Sequence, residues 1–199
     1  MAESNLDDLT IEDLHKRIHQ LEAENKRWMH LAGTNRLTDL PNNMMLFKVV
    51  LPAELRKWDG KETNLSCLVI SPDGLGELNQ KHGREVGDQF IVEMAKFLKG
   101  CLRGDEKLYH PDGSNFAILL LGIAGGRARR RGTEIKTEFH ASTFKLEKAE
   151  SSDLTCSVGV ASLEQTIDKK EIPDLVDRLY HTMSNGLYKA KQRGGNLVA

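Results

Sequence analysis

The segment Leu65-Ser66-Cys67-Leu68-Val69-Ile70 is nearly all apolar, and it stops at Ser71-Pro72-Asp73-Gly74. So short a run reads as a strand, and without polar alternation it needs cover on both faces. The rest of the chain supplies that cover as helical periodicity. From Asn42, Met45, Leu46, Val49, Val50 and Leu55 point inward, with Pro52 placed to kink or divide the helix. Leu75 and Leu78 begin another helix, His82-Gly83 interrupts it, and 85–100 resumes with Val86, Phe90, Ile91, Met94, Ala95, Phe97 and Leu98.

Lys107-Leu108-Tyr109 and 115–121 read as antiparallel strands joined through His110-Pro111-Asp112-Gly113-Ser114, where Asp-Gly is a hairpin signal. A polar helix is expected over 129–149, a strand over 154–163 and a helix over 172–193. Gly194-Gly195 ends that helix, and Leu197-Val198 adds a short edge strand. The predicted order is α-α-β-α-α-β-β-α-β-α-β, an α/β sandwich with antiparallel pairing. No GxGxxG follows the first strand, which excludes a doubly wound dinucleotide fold.

Ahead of this domain lies a second feature. Ser4 with Asp7, and Thr10 with Asp13, are capping signals. The second leads into Ile11, Leu14, Ile18, Leu21, Asn25, Trp28 and Ala32, whose alternating steps of three and four form a heptad seam. Residues 11–32 would extend about 33 Å as a helix. Parallel self-association buries such a seam, with Arg17 and Glu22 paired across the dimer and Asn25 fixing register. The alternative is a single amphipathic helix folded back on the domain. We expect residues 1–34 to be a coiled-coil dimerisation segment and 35–199 to be the globular domain.

The chain has 199 residues, with 28 Lys and Arg against 29 Asp and Glu, a balance that argues against a nucleic-acid binder acting through bulk charge. Near a helix start, Arg127, Arg129, Arg130 and Arg131 suit either an anion or a solvated turn, with Glu134 and Glu138 as counter-charges. No apolar stretch approaches the roughly 18–20 residues that span a bilayer. The first residues do not read as a secretory signal. Cys67, Cys101 and Cys156 lack the spacing of a disulfide framework or zinc site. A cytoplasmic location is the expectation.

Four ordered motifs then carry a resemblance. RLTDLPNNMMLF is similar to an LTGLPNRxxF pattern, NQKHGREVGDQFI to INDxxGHxxGDxxL, TCSVGVA to TxSxGxA, and LYKAKQRGGNLV to LYxAKxxGRNxV. Over about residues 35–198 the chain resembles the diguanylate cyclase (GGDEF-domain) family. The resemblance implies a sandwich like the palm of nucleotide cyclases and polymerases, with a central, mainly antiparallel mixed sheet preceded by a long helix. It also implies GTP as substrate, joined in pairs into cyclic di-GMP by a homodimer, with divalent ions held by carboxylates.

On that resemblance, Ser71 falls on a metal-ligand position and Asp73 on a less critical one. The signature hairpin reads Asp112-Gly113-Ser114-Asn115-Phe116. Asn115 replaces an acidic metal ligand, Ser114 the acidic residue before it, and Asp112 a glycine that leaves room for phosphates. Asn79 and Asp88 match guanine contacts, and Lys191 matches a phosphate contact; Gly195 stands where an arginine is usual, and His110 replaces another basic residue. Read locally, Asn79 and Asp88 would instead cap turns and helices. Arg103 and Glu106 match a cyclic di-GMP-binding RxxD.

Because Ser71 and Asn115 lack charge, Mg2+ binding is expected to be lost or weak, with no cofactor. The expected function is a non-enzyme: a GGDEF-derived regulatory or scaffold protein acting through homodimerisation and an unknown protein partner. The alternatives are a receptor for cyclic di-GMP or for GTP or GDP, and a residual diguanylate cyclase.

Overall fold

The structure is a computed structural model that describes residues 10–146, 149–151 and 154–199. The Ser4–Asp7 capping signal lies outside the described residues. Helix α1 (Ile11–Gly33) starts at Thr10, whose hydroxyl accepts from the Asp13 N–H at 3.2 Å while the Asp13 carboxylate accepts from the Thr10 N–H at 3.2 Å. Each group satisfies an amide that the first helical turn leaves over. The helix is not folded back on the domain: Ile11, Leu14, Ile18, Leu21 and Trp28 remain 42–75% exposed. Among the described residues, no helix is long and apolar enough to cross a membrane.

After α1, a π-turn over Met45–Val50 runs into α2 (Leu51–Arg56). The Leu51 N–H reaches back to the Leu46 carbonyl, and Pro52 occupies the first turn of α2, where a missing N–H costs little. The break expected at Pro52 therefore takes the form of a widened turn just before it.

The sheet is built around β1 (Glu62–Pro72), longer than the apolar run that marked it. β1 pairs antiparallel with β3 (Asn115–Leu121) on one edge and with β6 (Cys156–Thr166) on the other; β2 (Lys107–Asp112) completes the order β2-β3-β1-β6. The C-terminal residues run parallel to β6, with Val158 N–H donating to the Leu197 carbonyl at 2.8 Å and Ala199 N–H to the Val158 carbonyl at 2.9 Å. The sheet is thus mixed, as expected.

Alternation along β1 sends Leu65, Cys67 and Val69 to one layer, with Leu46, Leu51 and helix α6 (Ile172–Gln192). Leu68 and Ile70 go to the other, with α4 (Arg84–Cys101) and α5 (Gly125–His140). The strand looks uniformly apolar because both of its faces are core. Burial pushes the Cys67 and Cys156 thiols up to about 12; Cys101, through burial and a hydrogen bond to Glu138, reaches about 11.

One expectation needs correction at both of its ends. The polar helix spans Gly125–His140 rather than 129–149. It begins early because the Gly125 N–H donates to the Glu164 carboxylate of β6 at 2.8 Å, a capping partner far away in sequence. It ends early because Phe144 turns back into the aromatic group of Phe90, Phe97 and Phe139, on a small hairpin of β4 (Phe144–Leu146) and β5 (Ala149–Ser151).

A histidine ties the segment after α1 to the signature hairpin. His110 is fully buried and stacks on Phe116, with ring centroids 4.4 Å apart. Its backbone N–H donates to the Pro41 carbonyl at 2.8 Å, its Nδ1 meets the Thr38 hydroxyl at 2.8 Å, and its Nε2 meets the Gly113 carbonyl at 2.9 Å. An Nε2–H tautomer, with Nδ1 accepting from Thr38, satisfies both contacts. Burial holds its pKa below the usual 6.5. A folded-state value below the unfolded one means that the unfolded chain holds the proton more tightly. Stability from this group is intact above about 6.5 and declines as pH falls through the folded value. His110→Gln is expected to remove that part of the acid-side slope in urea unfolding followed from pH 7.5 to 5.

Gly159 is required by a close approach of β6 to α6. A Cβ there would stand 2.1 Å from the Met183 carbonyl oxygen and 2.5 Å from the Leu187 nitrogen, both backbone atoms. Gly159→Ala is expected to destabilise the domain by about 3 kcal/mol, read as a lower urea midpoint.

Candidate functional site

β1 ends at a cleft between the first turn of α3 (Leu75–His82) and the last turn of α6. Its cavity, about 470 Å3, is bounded by Pro72, Asp73, Gly74, Gly76, Asn79, Ser114, Lys191 and Gly194. At its floor, Ser71 is fully buried, with its hydroxyl 3.4 Å from that of Ser114. Lys191 reaches in from α6, and its Nζ donates to Ser71 Oγ at 2.8 Å and, more weakly, to the Pro72 carbonyl at 3.4 Å.

Asp73 also lies here, but its carboxylate is engaged. It accepts from Thr155 Oγ1 at 2.9 Å, Ser157 Oγ at 2.8 Å and the Asn196 N–H at 2.9 Å. These bonds pin the turn after α6 against β1. Gly195 is needed where the turn passes: it has a φ of 73°, and a Cβ would meet the Asp73 carboxyl carbon at 2.8 Å.

The hairpin divides the remaining positions. Gly113 takes a φ of 50° at the tight turn between β2 and β3. Asn115 Nδ2 donates to Asp112 Oδ1 at 2.9 Å, so these two side chains close the hairpin on themselves. They border a separate hollow of about 390 Å3 with Tyr180, Tyr188 and Lys191. Asp112 thus borders this hollow and not the cleft at the end of β1, while Lys191 borders both.

Asn79, on α3, borders the cleft, and its Oδ1 is buried with no hydrogen-bond partner among the described residues. That oxygen lies against Gly87, where a Cβ would come within 1.8 Å of it. Asp88 sits exposed in the second turn of α4 and does not border the cavity. Neither residue caps a helix with its side chain: α4 begins at Arg84, and the Gly83 N–H is taken by the Asn79 backbone carbonyl at 2.9 Å.

Arg103 and Glu106 are neighbours at a different cavity, also about 470 Å3, bordered as well by Arg127 and Arg130. Glu106 is bound to the buried Arg131, from Nε at 2.8 Å and Nη2 at 3.0 Å, and these bonds hold the guanidinium's pKa above its usual value. Glu106 also accepts from the Arg103 N–H at 3.0 Å, while the Arg103 guanidinium pairs with Glu134 at 2.8 Å and Glu138 at 3.6 Å. Sequence reasoning missed the Arg131–Glu106 pair, because a buried arginine inside an arginine-rich segment has no local signature. Among the described residues, no group of three or more His, Cys, Asp and Glu is gathered to hold a metal ion.

Comparison with known proteins places this geometry. The chain is 26% identical over 191 residues to the diguanylate cyclase TpbB of Pseudomonas aeruginosa, covering 95% of this chain and 42% of that protein. It spans less than half the length of this relative. Its fold matches the coiled coil and GGDEF domain of DgcB from Caulobacter crescentus, solved in complex with c-di-GMP. That match has a TM-score of 0.74 at 20% identity and covers 95% of this chain and 96% of the other. It also matches the active GGEEF domain of a diguanylate cyclase from Vibrio cholerae, with a TM-score of 0.62 at 21% identity, covering 80% and 96%.

These relatives overturn the expectation that the chain is not an enzyme. The domains it resembles include an active cyclase and one captured with c-di-GMP. Replacing carboxylates at Ser71 and Asn115 changes the charge of the site, but the cleft that the fold builds around it remains, so the substitutions alone do not establish a non-enzyme. The description "Diguanylate cyclase, GGDEF domain" matches residues 32–197, and the chain belongs to that family.

Proposed function

We propose that the chain is a guanine-nucleotide-binding module of cyclic di-GMP signalling that works as a pair of chains. The observation that carries this reading is the Asn79 side chain: a buried acceptor oxygen without a donor among the described residues, on a residue at the edge of a cleft that also holds an ammonium. A buried, unmet acceptor costs about 1–3 kcal/mol, which a ligand N–H recovers. The Watson–Crick edge of guanine presents adjacent N–H donors, and Lys191 supplies charge for phosphate on the far side of the cleft. Gly87 keeps the room that lets Asn79 lie where it does.

The arginine cavity suits cyclic di-GMP itself, a ligand with two phosphates. Arg103, Arg127 and Arg130 border it, and Arg103 would exchange its bonds to Glu134 and Glu138 for phosphate or guanine. Glu106 is held by Arg131, so in this reading the arginines rather than Glu106 supply the recognition. The DgcB domain, solved with c-di-GMP, supports placing that ligand class on this fold.

A second reading, synthesis of cyclic di-GMP from two GTP molecules by paired chains, is favoured by the diguanylate cyclase relatives. Chromatography of GTP incubated with the protein distinguishes the two. Cyclic di-GMP in the products establishes synthesis, and intact GTP with saturable binding leaves the receptor reading.

Two outcomes are expected. In calorimetric titration the chain binds GTP saturably, and Asn79→Ala weakens that binding about tenfold without changing the circular dichroism spectrum; a flat titration of folded wild-type protein sinks the reading. Pairing is expected to run through the exposed seam of α1, so removal of residues 1–32 converts a dimer to a folded monomer. Light scattering across a concentration series would refute this by finding the full chain monomeric or the shortened chain equally dimeric.

A further inference from the structure

The family resemblance implies a divalent ion at the end of β1, and the described residues do not fit one. A small hard cation such as Mg2+ is usually bound through one or two carboxylates, with water and phosphate completing its shell. Among the described residues, the oxygens gathered at the position are the Ser71 hydroxyl, the Ser114 hydroxyl and the Pro72 carbonyl, all neutral. The Asp73 carboxylate accepts three hydrogen bonds from Thr155, Ser157 and Asn196, and Asn115 is turned to Asp112. A positive charge already stands at the position: Lys191 Nζ lies 2.8 Å from Ser71 Oγ and 3.4 Å from the Pro72 carbonyl oxygen.

We propose that Lys191 is a built-in substitute for the divalent ion, so that this cleft takes the phosphate of a guanine nucleotide without any metal. The inference rests on the guanine-nucleotide reading above and goes further, because it states which cation the phosphate meets. The Ser71 hydroxyl and Pro72 carbonyl act as oxygen ligands to an ammonium, a role open to neutral donors. A carboxylate at position 71 would pair with the lysine and cancel the charge offered to phosphate. A serine leaves that charge available. The side chain of Lys191 is anchored at its tip although the residue is exposed along its length, so the ammonium is held in place before the ligand arrives.

The test is calorimetric titration of the full chain with GTP, in buffer containing Mg2+ and again in buffer containing excess EDTA. The expected result is a dissociation constant that agrees within about threefold between the two buffers. Lys191→Met, which keeps the aliphatic stem, is expected to lose at least about tenfold in GTP affinity in EDTA while guanosine binding is unchanged. Ser71→Asp is expected to weaken GTP binding in EDTA by a similar factor, since the new carboxylate neutralises the ammonium. GTP binding that requires Mg2+ overturns the substitution and leaves the nucleotide reading standing. Lys191→Met that binds GTP in EDTA as well as wild type overturns the role of the lysine. No GTP binding in either buffer overturns the nucleotide reading and this inference together.

Discussion

Everything in the domain hangs on a strand that is buried on two faces and paired along two edges. β1 meets β6 from Glu62 to Pro72 and β3 from Leu65 to Ile70, so its backbone groups are spent on the ladders and its side chains on two cores. A strand in that position cannot shift register by one residue without exchanging its two sets of side chains. It therefore delivers Ser71 and Asp73 to a fixed place. The close contact of Gly159 with α6 fixes the height of the last helix, and with it Lys191. The cleft is accurate because the elements that carry it have no freedom.

The parts of this arrangement that are local in sequence were legible from it. Apolar spacing marks α1, α4 and α6, and the Asp-Gly pair marks the hairpin at Gly113, where the backbone is left-handed. The resemblance brought Ser71, Asp73, Asn79, Ser114 and Lys191 to one region, and the structure gathers them around one cavity or its floor. What the sequence hid depends on partners distant along the chain. Glu164 starts α5 early, Phe144 ends it, and Glu106 takes Arg131 into the interior. Asp73 looked like a spare ligand, because nothing near it in sequence announces Thr155, Ser157 and Asn196 as its donors.

Reading function from the substitutions alone led to a non-enzyme, and the relatives do not support that step. Residue type at a metal position reports charge; it does not report whether the surrounding cleft still receives a ligand. In this chain the cleft is open, a lysine is moored across it, and Asn79 at its edge has a buried amide oxygen that lacks a donor among the described residues. Those three facts concern recognition of a ligand more directly than they concern turnover, which is why the nucleotide leads the functional reading.

The interior cysteines have a chemical consequence. Burial in β1 and β6 pushes the Cys67 and Cys156 thiols up to about 12, so little of the nucleophilic thiolate is present at neutral pH. Alkylating reagents and mild oxidants would find little to attack while the sheet is closed. Loss of the sheet would return these two sulfurs to ordinary acidity, which makes their modification a built-in signal that the native state has opened.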